Sequence, residues 1–373
     1  MKKVLLLPLL DSMPSGHHQV ADAVREIIQM NSGEIASTKL DILSEWNTWL
    51  EKGIVAGYLG WIRRFPKSYA WIYRQFAYRS KSERPHKLYE ILFMNKVRDL
   101  LEREQPDLIV CTHGFASLFI NRLKESGECD IPTLNIYTDF FINDVWGCSH
   151  IDYHFVPSRI VKDALSSKYD IDETRIFVTG IPISPKFEQR TRQEETGTTT
   201  VNRILLSGGS VGLGNLGDLV KKRVKGTNCR VKVLCGANGK LYEDIKRIPD
   251  KFAEAYPYIS SKEEMNKIYD EVDAIISKPG GVTVSEALRK GIPVFISSAL
   301  PGQEQINLQI LKEMKLVTLI PGDEDALDFT CRALQDEKMM QQFNEAAYRY
   351  RKSIELSDSK SLFKVIQQML ERG

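Results

Sequence analysis

The sequence predicts an α/β protein built from two Rossmann-like domains, and three observations carry this prediction. Its 373 residues are more than one hydrophobic core normally serves. Short runs of leucine and β-branched residues alternate with segments of helical spacing, which is typical of parallel strands covered by helices on both faces. A stretch without apolar side chains, residues 189–200, interrupts the alternation, which then begins again.

The first domain is expected over residues 1–187. Its first strand is the run Val4–Leu10. Asp11 follows this short run and no small-residue cleavage site comes after it, so a buried strand explains it better than a signal peptide. A helix is expected over Ala21–Met30. Further strands are expected at Leu108–Cys111, Thr133–Tyr137, Tyr153–Val156 and Ile176–Val178.

The polar segment 188–202 is the expected linker, and the second domain is expected over residues 203–373. Its strands are expected at Arg203–Leu206, Arg230–Leu234, Ala274–Ile276, Val294–Ile296 and Leu316–Leu319. Apolar residues of Ser361–Leu370 fall on one helical face and predict a terminal helix. We count this helix with the second domain and expect it across or beside a central cleft that the two domains face.

Composition excludes several classes of protein. Lys and Arg number 51 against 49 Asp and Glu, so bulk charge gives no reason to expect a nucleic-acid partner. No apolar stretch approaches the roughly 18 residues that a spanning helix needs. The six cysteines lack metal-binding spacing, which favours free thiols in a cytoplasmic protein.

Residues 46–94 differ from the rest of the chain. They hold four of the five tryptophans, and Lys52–Lys87 contains nine Lys or Arg against one acid, Glu83. Aromatic rings interleaved with cations are typical of a surface that binds anionic lipid. We therefore expect peripheral attachment to the inner face of the cell membrane. The alternative is a helical insertion with its aromatics in the core and a solvated basic face.

The turn after the first strand is a candidate site. It reads Asp-Ser-Met-Pro-Ser-Gly-His-His over 11–18 and leads into a helix. Open α/β sheets bind ligands at such strand ends. His17 could act there as a general base or as a hydrogen-bond donor. A purely structural histidine is the alternative.

Three glycine-rich turns, 205–214, 277–287 and 297–307, follow strands of the second domain. Glycines allow backbone N–H groups to approach a phosphate, and helix N-termini favour anions. Carboxylate and amide groups nearby suit ribose and sugar hydroxyls. Together the turns predict a site for a nucleotide sugar, and three merely structural turns are the alternative. The candidate donor-binding residues are Gly209, Ser210, Gly280, Gly281, Thr283, Glu286, Gln303, Glu304 and Asn307.

Several motifs in order along the chain resemble one glycosyltransferase family. They are Gly16-His17-His18-Gln19-Val20-Ala21, Thr138-Asp139-Phe140 with Trp146, Val178–Ile183, Lys278–Ala287 and Pro301–Asn307. The family contains the monogalactosyldiacylglycerol synthases, the bacterial processive diacylglycerol glucosyltransferases and, more distantly, the MurG enzymes. The chain departs from it at Pro14, where a glycine is usual, and at Asn143, where a histidine is frequent.

The resemblance implies a GT-B fold and an inverting transfer that needs neither metal nor other cofactor. A UDP-sugar would bind the second domain, with its diphosphate near Gly209 and Ser210 and its ribose on Glu286. Gln303 and Glu304 would hold the sugar ring. His17 and Asp139 would face the reacting centre, and either could be the base.

The function expected is transfer of a hexose from a UDP-sugar to a lipid hydroxyl, that of diacylglycerol or of a glycosylated diacylglycerol. Two alternatives stay open. A UDP-sugar 2-epimerase would share the architecture and the donor site, although it would have no use for an aromatic and basic lipid-binding surface. A non-catalytic nucleotide-sugar sensor would bind the donor without turnover.

Overall fold

The computed structural model describes residues 1–9, 15–42, 87–187, 201–209, 212, 216–221, 229–248 and 252–372, with single positions between 53 and 71. These residues divide into two compact units. The first comprises Met1–Pro185, Pro301–Gln303 and Lys352–Gly373, and the second comprises Lys186–Leu300 and Glu304–Arg351. The expected linker lies almost wholly outside the described residues.

A six-stranded parallel sheet forms the centre of the first unit. Its strands are β1 Lys3–Leu7, β2 Ala36–Lys39, β3 Leu108–Cys111, β4 Thr133–Ile136, β5 Tyr153–Val156 and β6 Ile176–Val178, in the order β2-β1-β3-β4-β5-β6. The helices described before residue 170 are α1 Gly16–Asn31, α2 Lys87–Glu104, α3 Gly114–Glu125 and α4 Arg159–Tyr169. β1, β3 and β4 are buried along almost their whole length, as their continuous apolar sequences predict.

The second unit repeats this architecture. Its strands are β7 Asn202–Ser207, β8 Cys229–Leu234, β9 Ala253–Tyr256, β10 Ala274–Ser277, β11 Val294–Ile296 and β12 Thr318–Leu319, in the order β12-β11-β10-β7-β8-β9. Its helices are α5 Leu216–Lys221, α6 Gly239–Lys246, α7 Lys262–Asp270, α8 Gly281–Lys290, α9 Gln303–Glu313, α10 Ala326–Gln335 and α11 Glu337–Ser353. The first residue of α9, Gln303, and the last two residues of α11 are counted with the first unit. Two parallel sheets with helices confirm the predicted fold class.

The C-terminal helix corrects the expected domain division. This helix, α12 Ser359–Arg372, packs against α1 and therefore belongs to the first unit, not to a domain spanning 203–373. The Glu355 carboxylate accepts hydrogen bonds from Lys162 Nζ and from the backbone N–H of Val178, both at 3.0 Å. Helical periodicity locates the apolar face of α12, but it does not say which sheet that face covers.

Each sheet contains one point where the strand order reverses direction. In the first unit this point lies between β1 and β3, and in the second it lies between β7 and β10. In open α/β sheets, ligands bind beyond the carboxyl ends of the strands at such a switch point. The turns that follow these four strands are therefore the positions where a site is expected.

The aromatic and basic region 46–94 falls largely outside the described residues. Among its described positions, Trp71 is 65% exposed and Trp61 Nε1 donates to Ser68 Oγ over 2.9 Å. No helix within the described part of the chain has both the length and the apolar character required to cross a bilayer.

Candidate functional site

His17 lies in the first turn of α1, at the switch point of the first sheet. Its Nδ1 is 2.9 Å from the carbonyl oxygen of Thr112, which directly follows β3. Thr112 Oγ1 donates in return to the carbonyl oxygen of His17 over 3.0 Å. Thr138 Oγ1, beyond β4, lies 2.8 Å from the same Nδ1. The ends of three neighbouring strands thus fix the imidazole.

These bonds determine the tautomer of His17. A carbonyl oxygen only accepts, so Nδ1 carries the proton and Nε2 keeps its lone pair. Nε2 has no hydrogen-bond partner among the residues that the structure describes. Burial lowers the pKa of His17, although the Asp139 carboxylate and the Thr112 carbonyl oppose this effect. A neutral imidazole with an available Nε2 can accept a proton at neutral pH.

The adjacent His18 has a different environment. Its Nε2 lies 3.1 Å from the carbonyl oxygen of Leu9, to which it donates, and the residue is 8% exposed. Successive helical residues point in directions about 100° apart, so the two histidines occupy different surroundings. His18 ties α1 to the end of β1 and is a structural residue.

Asp139 follows Thr138 beyond β4. Its Oδ2 accepts a hydrogen bond from Gln303 Nε2 over 2.6 Å, and both residues belong to the first unit. The structure thus brings together Asp139 and Gln303, although the family resemblance assigns Asp139 to the reacting centre and Gln303 to the donor sugar. In this arrangement the amide of Gln303 supports the Asp139 carboxylate.

Hydrogen bonds hold the segment from Asn143 to Cys148 against α3 and β4. The carbonyl oxygen of Gly147 accepts hydrogen bonds from Ser117 Oγ at 2.7 Å and from Asn135 Nδ2 at 2.8 Å. Asn143 Oδ1 accepts the backbone N–H of Val145 at 3.1 Å. The asparagine at this departure from the family motif therefore stabilises a turn.

His113 is a further residue of the candidate site, and no sequence motif identifies it. It caps α3, because its Nδ1 accepts the backbone N–H of Phe115 over 3.0 Å. Its ring stands edge-on to that of His17 with centroids 4.5 Å apart. Burial and the neighbouring His17 hold the pKa of His113 well below its usual range. A Thr-His-Gly turn after a buried strand was the available signal, but only the strand order shows that β3 lies beside β1.

The second unit places two glycine turns at its own switch point. Gly209 follows β7 with a left-handed φ of 73°, and Ser210 lies outside the described residues. Gly212 also has a positive φ, and a Cβ there would come within 2.0 Å of the Cys235 carbonyl oxygen. Only glycine fits this close approach of the turn to the end of β8.

The turn after β10 leads directly into α8. Gly280 is the N-cap of this helix, without a side-chain capping bond, and Gly281 is its first residue. A Cβ on Gly280 would meet no atom within 4 Å, so the space beside this N-terminus is open. Uncapped N–H groups at the start of a helix favour an anion. Thr283, half-buried, lies in the same first turn.

Glu286 is a buried carboxylate one turn further along α8. Tyr269 donates its hydroxyl to Oε2 over 3.0 Å, and Lys262 Nζ lies 3.9 Å from Oε1. Burial raises the pKa of Glu286, while Lys262 and Tyr269 act in the opposite direction. The structure therefore adds Tyr269 and Lys262 to the predicted donor site as residues that orient this carboxylate.

Glu304 organises the third glycine turn. Its Oε2 accepts the backbone N–H of Leu300 over 2.6 Å, and its Oε1 lies 3.6 Å from Lys278 Nζ. The carboxylate thus joins the turn after β11 to the turn after β10. Asn307, the last predicted residue, is only 1% exposed and lies within the packed part of α9. The described residues contain no group of three His, Cys, Asp or Glu side chains placed to hold a metal ion.

Two family models match the chain in succession. The monogalactosyldiacylglycerol (MGDG) synthase model matches residues 17–183, and the C-terminal domain model of glycosyltransferase family 28 matches residues 203–317. The uncharacterized glycosyltransferase YkoN of Bacillus subtilis is 44% identical over 322 residues, 85% of this chain and 84% of that protein. A processive diacylglycerol beta-glucosyltransferase of Bacillus cytotoxicus is 29% identical over 257 residues, 67% of this chain and 66% of that protein.

Solved structures show the same fold at low sequence identity. MurG of Acinetobacter baumannii has a TM-score of 0.63 at 15% identity and covers 99% of this chain and 100% of its own. The UDP-GlcNAc 2-epimerase of Neisseria meningitidis bound to UDP-GlcNAc has a TM-score of 0.55 at 13% identity. The match covers 99% of this chain and 100% of the epimerase chain.

The two parallel-sheet units have the GT-B fold, which MurG shares over almost the whole length of this chain. The chain belongs to the glycosyltransferase family of the monogalactosyldiacylglycerol synthases and is related to the diacylglycerol glucosyltransferases. The resemblance inferred from the motifs is thereby confirmed.

Proposed function

We propose that this protein is an inverting glycosyltransferase that moves a hexose from a UDP-sugar to the hydroxyl of diacylglycerol or of a glycosylated diacylglycerol. The observation that carries the proposal is the hydrogen bond from His17 Nδ1 to the Thr112 carbonyl, which leaves the Nε2 lone pair available at the switch point of the first unit. Burial lowers the pKa of His17, which favours the neutral ring that a base needs. A nucleophilic hydroxyl needs such a base, whereas a protein that only binds nucleotide sugars does not.

The second unit supplies the features that the donor requires. The open N-terminus of α8 and the turn at Gly209 offer backbone N–H groups for the diphosphate. Glu286, oriented by Tyr269 and Lys262, accepts from the ribose hydroxyls. Glu304 fixes the turn beside them, where the sugar ring would bind. No step of this scheme requires a metal ion or another cofactor.

The reaction would proceed by a single displacement. The acceptor hydroxyl oxygen bonds to the anomeric carbon as the bond from that carbon to the diphosphate oxygen breaks. The departing UDP takes the electron pair of the broken bond, and the hydroxyl proton passes to His17 Nε2. Attack from the face opposite the leaving group inverts the configuration. Asp139, whose charge raises the pKa of His17, stabilises the imidazolium that forms.

The lipid acceptor is supported by the related diacylglycerol glucosyltransferases and by the basic, aromatic region 46–94. We place the protein on the cytoplasmic face of the membrane, where this region would meet anionic lipid. The GT-B fold alone does not separate transfer from epimerisation, because a UDP-GlcNAc 2-epimerase shares it. The products must therefore distinguish the two.

The test is to incubate the full chain with a panel of UDP-sugars and with anionic vesicles that contain 1,2-dioleoylglycerol. Mass spectrometry would follow the lipids, and chromatography would follow the nucleotides. We expect a new glycolipid and equimolar UDP from wild type, and at least about a hundredfold less of both from His17→Ala. An epimerised UDP-sugar without glycolipid would make the protein an epimerase. UDP-sugar binding without any turnover would make it a sensor. Either result would contradict the proposal.

A further inference from the structure

Two neighbouring imidazoles in the first unit are fixed in opposite tautomers. His17 donates through Nδ1 to a carbonyl oxygen, so its Nε2 is an acceptor. His113 accepts a backbone N–H at Nδ1, so its neutral ring carries the proton on Nε2. The rings are in edge-to-face contact, with centroids 4.5 Å apart and an interplanar angle of 78°. One of the two contacting rings therefore offers an acceptor nitrogen, and the other offers a donor nitrogen.

The Nε2 atom of neither ring forms a hydrogen bond within the described part of the protein. Both histidines are half-buried, and the hydrogen bonds of each ring all involve Nδ1. His17 and His113 follow β1 and β3, the two strands that flank the switch point of this sheet. An acceptor and a donor at the position where such sheets bind ligands are suited to two oxygens of one ligand.

We propose that His113 is an acceptor-binding residue whose Nε2–H donates a hydrogen bond to a second oxygen of the acceptor, one carbon away from the hydroxyl that His17 deprotonates. This inference rests on the proposed function and narrows its acceptor class. A glycerol ester carries an ester oxygen on the carbon beside its free hydroxymethyl group, and a sugar carries vicinal hydroxyls. A simple long-chain alcohol has no second oxygen and cannot use His113.

The capping role of His113 must be separated from this binding role. Asparagine is a good N-cap, and its side-chain oxygen can accept the N–H of Phe115 in place of Nδ1. It has no atom at the position of Nε2. Glutamine is longer, so its amide nitrogen can reach towards that position, while its capping ability is poor. His113→Asn therefore keeps the cap and removes the donor, and His113→Gln does the reverse.

The experiment compares 1,2-dioleoylglycerol with oleyl alcohol as acceptors for the full-length protein in anionic vesicles. UDP-glucose and UDP-galactose serve as donors. His113→Asn should lower kcat/KM for dioleoylglycerol about tenfold and leave that for oleyl alcohol within about twofold, because only the first acceptor loses a hydrogen bond. His113→Gln should retain most of the wild-type preference for dioleoylglycerol over oleyl alcohol. The exposed His150→Asn is the matched control and should behave as wild type.

Two results would overturn the inference. If His113→Asn keeps the wild-type preference for dioleoylglycerol, His113 is only a helix cap. If it lowers kcat/KM equally for both acceptors, His113 acts through the placement of His17 and does not contact the acceptor. Thermal denaturation of each variant identifies any loss that comes from unfolding.

A second measurement does not depend on turnover, so failure of the proposed function and failure of this inference can be distinguished. Nitrogen-15 NMR of histidine-labelled protein should show His17 protonated at Nδ1 and His113 protonated at Nε2. Addition of dioctanoylglycerol should shift the Nε2 resonances of both rings in the wild type. The reverse tautomers, or a His113 signal unchanged by the glyceride, would contradict the inference even if no transfer is observed.

Discussion

At the scale of single residues, His17 combines an available Nε2 lone pair with a pKa lowered by burial. We predict that His17→Ala leaves UDP affinity unchanged, because Gly209, Gly280 and Glu286 of the donor turns belong to the second unit. Transfer should fall by at least about a hundredfold, the usual contribution of a positioned base. Calorimetry with UDP and an assay of glycolipid formation measure the two effects separately.

His18→Ala is the control for this prediction. It removes a buried hydrogen bond to Leu9 and should lower stability more than transfer. A larger loss of transfer from His18→Ala would contradict the assignment, and equal mild losses would favour Asp139 as the base.

The pH profile of kcat/KM is a further check on His17. Because the pKa of His17 is lowered from 6.5, the basic form persists below that pH, and the acidic limb of kcat/KM should have its midpoint below 6.5.

Glu286 carries the second prediction at this scale. Glu286→Ala should weaken UDP binding more than tenfold, because a charge-assisted hydrogen bond to the ribose is lost. Calorimetry with UDP measures this. Tyr269→Phe is a graded control, since it removes one orienting hydrogen bond and leaves the carboxylate beside Lys262. The loss of UDP affinity should be smaller in Tyr269→Phe than in Glu286→Ala. Unchanged affinity in a folded Glu286→Ala protein would refute the assignment.

At the scale of elements, the start of α8 carries the third prediction. A methyl group on Gly280 meets no protein atom within 4 Å, so Gly280→Ala should fold, with a loss of about 1 kcal/mol because alanine is a poorer N-cap. That methyl group would occupy the space beside the first N–H groups of α8, where we place the diphosphate. UDP affinity should therefore fall about tenfold, a loss measurable by calorimetry.

Gly322→Ala is the matched control, because Gly322 also lies in the second unit and its added Cβ also meets nothing within 4 Å. It should change neither stability nor UDP binding. Equal UDP affinity in both variants would remove the N-terminus of α8 from the donor site.

Sequence periodicity predicts the central strands well because their residues are buried on both faces and are therefore continuously apolar. It misses β2 and β9, whose sequences are Ala-Ser-Thr-Lys and Ala-Glu-Ala-Tyr. Both are edge strands of their sheets, where burial is incomplete and the apolar signal is weak.

The order of the strands explains what else the sequence could not show. Motifs identify His17, Asp139 and the glycine turns, because each is a local pattern. The partners of His17 are Thr112 and Thr138, about a hundred residues away along the chain, and they meet it only through the pairing of β1, β3 and β4. Tyr269, likewise, supports Glu286 from another helix, and nothing in its local sequence marks it.

At the scale of the whole molecule, the prediction concerns membrane attachment. Replacing Arg63, Arg64, Arg74 and Arg79 with glutamine should release the protein from anionic vesicles and make the remaining binding more sensitive to salt. Each such cation contributes on the order of 1 kcal/mol near anionic lipid. Sedimentation with vesicles that contain phosphatidylserine measures this. Of the four arginines the structure describes Arg64, which is exposed.

A variant with the same change in charge elsewhere is the control. Its four substitutions, again to glutamine, fall on the exposed cations Lys96, Arg103, Arg159 and Lys168 of the first unit. This variant should sediment with vesicles as wild type does. If both variants bind equally well, the region 46–94 is not the membrane contact.

The return of residues 352–373 to the first unit has a consequence for how this protein can be divided. The unit that holds His17 is assembled from both ends of the chain, with α12 covering α1. A fragment that stops at the linker would leave an apolar flank of α1 in water. A premature stop codon near residue 350 would remove α12 from the N-terminal unit and leave the C-terminal unit almost complete. Exchange of halves between relatives, which suits tandem modules, would here require four joints instead of one: at the linker, on each side of 301–303, and near 351.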